Sequence, residues 1–144
     1  MQIQFVLPSF DPGTKDSVRI LSSLVSSLAL ANLRYLHKNP QTPALYDLGK
    51  RGLVRYQREP RGKEEWCDLL EVYRRGWGDC EDLAAWRCAE LQFRKIPAVP
   101  NIRFRRVGKQ TIYHVTVLTV AEKDGKKGIV EEDPSRLLGM RARD

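Results

Sequence analysis

One short stretch of the sequence, residues 76–82, constrains the fold more than any other. Its sequence is Gly-Trp-Gly-Asp-Cys-Glu-Asp, so two glycines and an aspartate lead directly into a segment with helical periodicity. Asp79 is placed to cap this helix and Asp82 to complete a capping box. We predict a helix from Cys80 to about Lys95, stopped by Pro97, with one face toward the core. That face carries Cys80, Leu83, Ala84, Arg87, Cys88 and Leu91.

The position of Cys80 in the first turn of that helix has a chemical consequence. Unpaired backbone N–H groups and the positive end of the helix dipole favour the thiolate. The carboxylates of Asp79, Glu81 and Asp82 act in the opposite direction and raise the pKa of the thiol. A histidine imidazolium, nearby arginines or a bound cation would offset them. Calcium held by these three acids is one alternative, whereas helix capping explains the acids without any cofactor.

The first half of the chain is predicted to be mostly helical. A short strand at residues 2–7 precedes a long helix, which Asp16 or Ser17 would cap and which runs to about Lys38. A further helix is predicted at residues 64–75. The residues that it would direct toward the core are Trp66, Leu69, Leu70 and Tyr73.

The second half changes from helical periodicity to the alternation of strands. Three strands are predicted near residues 102–107, 111–120 and 128–132. Turn signals separate them, and the stronger of these is Asp124-Gly125. The chain is therefore predicted to form one α+β domain over residues 1–144, with its central cysteine-bearing helix packed on an antiparallel sheet.

The turn at Asp124-Gly125 fixes the register of the last two strands. Residues whose numbers sum to about 249 then pair, so His114 faces residue 135. Asp133, at the end of the last strand, comes within reach of His114 after a small shift or bulge. Because the sheet would pack on the cysteine-bearing helix, we expect Cys80 within hydrogen-bond reach of His114.

Cysteine, histidine and aspartate in this arrangement predict a nucleophile, a base and an orienting carboxylate. Cys80 would attack a carbonyl carbon, His114 would carry its proton to the leaving amine, and Asp133 would fix the imidazole tautomer. The Cys80 backbone N–H is an expected oxyanion donor. The alternative is a buried core cysteine, a hydrogen-bonded strand histidine and a turn aspartate. Further residues that are predicted to bind the oxyanion or the substrate are Tyr56, Gln57, Trp66 and Trp77.

Composition limits the class of protein. The chain has 144 residues, of which 42% are hydrophobic and 30% charged, as expected of one globular domain. It has no apolar run of about 18 residues, so no membrane span is predicted. The N-terminus lacks the basic and apolar regions of a signal peptide. Three cysteines without CxxC spacing argue against a disulfide framework or a zinc site and favour a reducing compartment such as the cytoplasm.

The net charge of +7 has two interpretations. The basic residues form a solvated surface, or they bind an acidic partner such as an acidic protein substrate. No motif of an RNA- or DNA-binding module is present, so nucleic acid is not an expected partner. The basic residues concentrate in segments 50–61, 103–106, 123–127 and 136–143.

Several motifs together resemble the transglutaminase-like branch of the papain-like cysteine enzymes. The residues concerned are the Gly-Asp-Cys-Glu-Asp-Leu-Ala block at 78–84, Ile96-Pro97-Ala98, Tyr113-His114-Val115 and Asp133-Pro134. Val54, Tyr56 and Trp66 precede the block in an order similar to that of bacterial transglutaminase-like cysteine proteinases. The sequence departs from the family at Val115, where many members have alanine or methionine. Asp133-Pro134 is closer to the transglutaminases proper.

The resemblance implies a papain/transglutaminase-like fold and a thiol protease with the catalytic triad Cys80, His114 and Asp133. Such an enzyme acts on peptide or isopeptide bonds of a protein substrate through a thioester, and protein-glutamine transfer is the second implied activity. Some bacterial members bind calcium through acids that flank the nucleophile. A compact bacterial or phage-encoded member in the host cytoplasm or the virion fits the short chain. The alternative from another class is a non-catalytic structural or binding module, such as a virion component.

Overall fold

The structure is a computed structural model that describes residues 2–3, 11–60, 63–142 and 144. Helices combined with a small antiparallel sheet confirm the predicted α+β class. The described helices are α1 (Lys15–Lys38), α2 (Leu45–Lys50), α3 (Leu69–Arg75), α4 (Cys80–Phe93) and α5 (Pro134–Leu137). The described strands are β1 (Gln2–Ile3), β2 (Arg55–Tyr56), β3 (Trp66–Cys67), β4 (Trp77–Gly78), β5 (Ala98–Val107), β6 (Gln110–Lys123) and β7 (Lys126–Glu132).

The three long strands form an antiparallel meander in the order β5-β6-β7. Val117 pairs with Glu132, so the numbers of paired residues in β6 and β7 sum to 249, as predicted. Asp124-Gly125 forms the turn between them with positive φ at both residues, as a type I′ turn requires. This register leaves Asp133, one residue beyond β7, at the level of Thr116, two residues along β6 from His114.

Helix α4 lies at the centre of the molecule and is buried on nearly every side. One apolar cluster joins it to α1 and the sheet, and a second joins it to α2, α3 and the segment after α5. Trp86 is its largest fully buried side chain. The prediction of a single core-facing side was wrong, because helices and sheet enclose α4 from both directions. The helix ends at Phe93, two residues before the predicted Lys95.

The N-terminal segment agrees with prediction in part. Strand β1 covers two residues of the predicted strand at 2–7 and pairs with β3, while residues 4–7 lie outside the described part of the chain. Thr14 caps α1 by accepting a hydrogen bond from the Ser17 backbone N–H, so the predicted caps Asp16 and Ser17 were wrong. Neither α1 nor any other described helix is both long enough and apolar enough to cross a bilayer.

The helix predicted at residues 64–75 is shorter than expected. It begins at Leu69 because the Asp68 side chain accepts a hydrogen bond from the Glu71 backbone N–H, and the residues before it form β3 instead. Leu69 is buried as predicted, but Leu70 and Tyr73 are exposed. Strand β2 pairs in parallel with β4, which leads directly into α4.

Candidate active site

A cavity of about 450 Å³ opens at the start of α4. Cys80, the first residue of the helix, lines it together with Tyr56 from β2 and with Tyr113 and His114 from β6. Gly78 packs closely here, since a Cβ would lie between 3.1 and 3.3 Å from atoms of three side chains on α3 and α4. This close packing fixes the start of α4 and therefore the position of the thiol.

The Cys80 thiol is protonated in this arrangement. The residue is only 9% exposed, and its Sγ donates a hydrogen bond to Oε2 of Glu81 at 3.2 Å. Burial, followed by the charges of Glu81 and Asp79, raises the pKa of Cys80 well above its usual value. A hydrogen bond from the Val115 backbone N–H acts against this shift. Burial and the acidic neighbours therefore outweigh the helix start and favour the thiol over the thiolate.

The predicted contact between His114 and Asp133 is present, and it forms where the chain leaves β7 rather than through strand pairing. Nε2 of His114 lies 2.9 Å from Oδ2 of Asp133. The same carboxylate caps α5, since its Oδ1 accepts the Arg136 backbone N–H at 3.2 Å. Among the described residues, the other imidazole nitrogen, Nδ1, has no hydrogen-bond partner. Asp133 can therefore orient the ring and leave Nδ1 available for proton transfer.

Cys80 and His114 line the same cavity, but no hydrogen bond joins them in the described part of the chain. The Val115 side chain packs toward α4, and because side chains alternate along a strand, His114 projects from the other face of β6. Strand β7 ends opposite Val117, which leaves the edge of β6 open beside His114. The sulfur lies at this edge, against the Val115 amide. A direct contact between thiol and imidazole remains a prediction.

Asp82 serves a structural role rather than completing a capping box. Its Oδ1 accepts the Cys67 backbone N–H at 2.7 Å, and its Oδ2 lies 2.6 Å from Nη2 of Arg75. Asp79 occupies the N-cap position, but its side chain makes no capping hydrogen bond. The capping-box prediction was therefore wrong for both residues. An arginine does offset one of the three acids around Cys80, which was one of the expected alternatives.

Asp79 and Glu81 form a buried pair of carboxyl groups, and no arginine in the described part of the chain forms an ion pair with either. They are 8% and 1% exposed, and Oε1 of Glu81 accepts the Tyr113 hydroxyl at 3.1 Å. Burial raises the pKa of both, and the charge of Glu81 together with a hydrogen bond between the two side chains raises that of Asp79 further. Of the two, Asp79 is therefore the more readily protonated, and Glu81 is the one that more readily keeps its negative charge.

Of the four residues predicted to bind oxyanion or substrate, Tyr56 lines the cavity. Burial and the nearby Cys80 raise the pKa of Tyr56, so its hydroxyl stays protonated and can donate. The other three are not among the described residues of the cavity wall. Gln57 binds Arg55 through its side chain, Trp66 packs in the core, and Trp77 lies beneath the Arg75 guanidinium at 3.7 Å.

Glu59, Glu64 and Tyr113 are among the cavity residues that the sequence analysis did not assign to the site. The Tyr113 hydroxyl contacts both Glu64, at 3.0 Å, and Glu81. The sequence could have indicated Tyr113, because it directly precedes His114 and neighbouring residues of a strand lie at the same part of its edge. Glu59 follows β2, and Glu64 precedes β3 although a helix was predicted to begin there, so the placement of both depends on tertiary structure.

Comparisons with protein-family models, with curated proteins and with solved structures gave no match. Within the described residues, no three His, Cys, Asp or Glu side chains converge as ligands for a metal ion. Asp82, one of the three acids considered for calcium, is directed to Arg75 instead. The function is therefore inferred from the chemistry of the site itself.

Proposed function

We propose that the protein is a transglutaminase-like cysteine peptidase that cleaves peptide or isopeptide bonds, with Cys80 as nucleophile, His114 as proton carrier and Asp133 as positioning carboxylate. The supporting observation is the 2.9 Å contact between His114 and Asp133, beside a cavity that also holds a helix-start thiol. A histidine oriented by a carboxylate is the usual means of activating a thiol and protonating a leaving amine.

The reaction balances through one proton on the imidazole. The thiol proton passes to Nδ1 of His114 as the sulfur attacks the carbonyl carbon and the C–S bond forms. The imidazolium, stabilised by Asp133, gives this proton to the nitrogen as the C–N bond breaks. Water then attacks the thioester and gives its proton to His114, which returns it to the sulfur as the C–S bond breaks. The Cys80 backbone N–H and the Tyr56 hydroxyl are the proposed oxyanion donors.

The arrangement of elements supports a papain/transglutaminase-like fold. A buried helix carries the nucleophile at its N-terminus, an antiparallel meander packs against it, and the central strand carries the histidine. The carboxylate follows on the next strand of the meander. Glutamine transfer shares every step up to the thioester and differs only in the acceptor, so we propose hydrolysis as the first activity and transfer as the second.

Acetylation by p-nitrophenyl acetate tests the nucleophile and the base before any natural substrate is known. The protein should release nitrophenolate and carry one acetyl group, which peptide mapping locates on Cys80. Cys80→Ser and His114→Ala should lose this reaction. Cys88→Ala is the matched control, because it removes a buried thiol from the same helix, and it should retain the reaction.

Two results would end the enzyme proposal in favour of a non-catalytic module. One is acetylation of His114→Ala at the rate of the unaltered protein. The other is a Cys80 that reacts with iodoacetamide no faster than Cys67 and Cys88 even when an organic cation is present to offset the neighbouring carboxylates. A fluorescent primary amine, incubated with the protein and a glutamine-containing protein, separates the two activities, since only a transferase forms the conjugate.

A further inference from the structure

One side of the active-site cavity is acidic, and we name it the acidic wall. It consists of Glu59, Glu64, Asp79 and Glu81. The last two are buried at its base, Glu59 is half-buried, and Glu64 is exposed at the mouth. Within the described ranges, no lysine or arginine forms an ion pair with these four carboxyl groups. Three exposed basic residues border the same cavity: Arg58, Lys63 and Arg105.

Two oxygens of the acidic wall lack a hydrogen-bond donor among the described residues. Oδ1 of Asp79 and Oε1 of Glu59 are buried oxygens that no described residue contacts as a donor, whereas Oε2 of Glu59 accepts the Glu65 backbone N–H at 2.7 Å. Glu81 is contacted by neutral donors, the Tyr113 hydroxyl and the Cys80 thiol. Buried acceptors almost always have a donor, and a buried carboxylate is costly without a cation beside it. A positively charged group with several N–H donors would satisfy both requirements.

We propose that the acidic wall binds an ammonium or guanidinium group of a peptide substrate, and that this cation neutralises Glu81 and so permits the Cys80 thiol to ionise. The inference rests on the proposed peptidase function and adds its substrate class. In the resting protein Sγ of Cys80 donates a hydrogen bond to Oε2 of Glu81, and the two atoms are 3.2 Å apart. A cation against Glu81 stabilises the thiolate instead, so a basic substrate would activate the nucleophile that attacks it.

The geometry favours an organic cation over calcium. The carboxyl groups are spread along the wall, and among the described residues no three of them converge on one point. Calcium takes roughly six to eight oxygen ligands around one centre. A cavity of about 450 Å³ instead has room for a long side chain that contacts the carboxyl groups in turn. The group that enters the cavity would then be basic, although the outer surface suggested an acidic partner.

The test uses n-butylguanidinium chloride as the probe and the ionisation of Cys80 as the readout. The thiol is titrated by thiolate absorbance in the far ultraviolet, with Cys80→Ser subtracted. We expect the titration midpoint to fall by about one pH unit as the probe saturates, since an opposite charge near an ionisable group shifts it by that order. Potassium chloride at equal ionic strength and n-butanol should leave the midpoint unchanged.

Three substitutions locate the effect. Glu81→Gln should lower the midpoint without the probe and abolish the response to it. Glu59→Gln should weaken the apparent affinity for the probe, and it serves as the second test if circular dichroism shows that Glu81→Gln does not fold. Glu122→Gln is the matched control, because Glu122 is an exposed carboxylate on the same strand as His114 and outside the cavity.

The proposal is overturned if the probe has no saturable effect, if potassium chloride produces the same shift, or if calcium chloride gives a larger saturable one. The titration requires no bond cleavage. A protein that binds the probe but is not acetylated would therefore contradict the peptidase proposal alone. A protein that is acetylated through His114 but ignores the probe would contradict the acidic-wall proposal alone.

Discussion

Nη2 of Arg75 lies 2.6 Å from Oδ2 of Asp82, in an ion pair whose side chains are 13% and 0% exposed. The pair joins the last residue of α3 to the first turn of α4. The same carboxylate also accepts the Cys67 backbone N–H, so it ties β3 to the helix as well. Because Cys80 lies two residues before Asp82, this buried contact holds the proposed nucleophile in place.

Asp82→Asn should therefore destabilise the protein strongly. Asparagine can still accept the Cys67 N–H, but Arg75 is left buried without its counter-ion, a loss of about 3–5 kcal/mol in unfolding free energy. Urea denaturation measures this loss. The matched control is Glu71→Gln, which removes the ion-pair partner of the exposed Arg74. Because that pair lies on the surface of α3, the helix that also carries Arg75, its loss should change stability little. Similar effects of the two substitutions would contradict the structural role of Asp82.

Asp133→Asn should slow acetylation of Cys80 without loosening α5. The asparagine Oδ1 can still accept the Arg136 N–H, whereas the imidazole of His114 loses its anionic partner. Because a correctly held proton carrier is worth about 100-fold or more in rate, we expect the nitrophenolate burst to slow by at least that order. The thermal unfolding midpoint should stay close to that of the unaltered protein. An unchanged burst rate would exclude Asp133 from the site.

Glu59 makes the unfolding free energy depend on pH. Burial raises its pKa from 4.5 to about 7, so between these values the folded protein retains a proton that the unfolded chain has released. The stabilisation that the raised pKa of Glu59 contributes is fully present below pH 4.5 and is lost as the pH rises through 7. The unfolding free energy therefore falls across this range. Glu59→Gln should make the curve shallower there.

Urea denaturation at several pH values checks this slope. Burial shifts the pKa of Asp79 and Glu81 in the same direction. The difference between the unaltered protein and Glu59→Gln therefore isolates Glu59, whereas the slope of either protein alone does not. A difference that stays constant from pH 4.5 to 7 would show that Glu59 titrates alike in the folded and unfolded chains.

The features predicted correctly depend on local signals. A type I′ turn at Asp124-Gly125 fixes the register of β6 and β7, and that register brings Asp133 to within two residues of His114, near enough for the two side chains to meet. The glycines and the aspartate before Cys80 likewise determine where α4 begins. In each case a few neighbouring residues restrict the backbone, so the sequence is informative without knowledge of the tertiary structure.

The features predicted wrongly depend on partners that are distant in the sequence. A capping box was expected for Asp82, but Arg75 and the Cys67 amide approach it from other elements and bind both of its oxygens. Trp66 has the periodicity of a helix, yet pairing with β1 makes it part of a strand. The contact of Glu81 with the Tyr113 hydroxyl spans 32 residues, and no local pattern marks it.

Glu132 should position Asp133, the next residue along the chain. Its Oε2 lies 2.7 Å from Nε of Arg87 and accepts the Tyr46 hydroxyl at 2.9 Å. Burial by itself would raise the pKa of Glu132. The contacts with Arg87 and Tyr46 outweigh burial and hold the pKa below its usual value. Glu132→Gln should cost about 1–3 kcal/mol in urea denaturation and also slow acetylation of Cys80. If stability falls but the burst rate matches that of the control Glu122→Gln, the ion pair supports the fold and does not position the site.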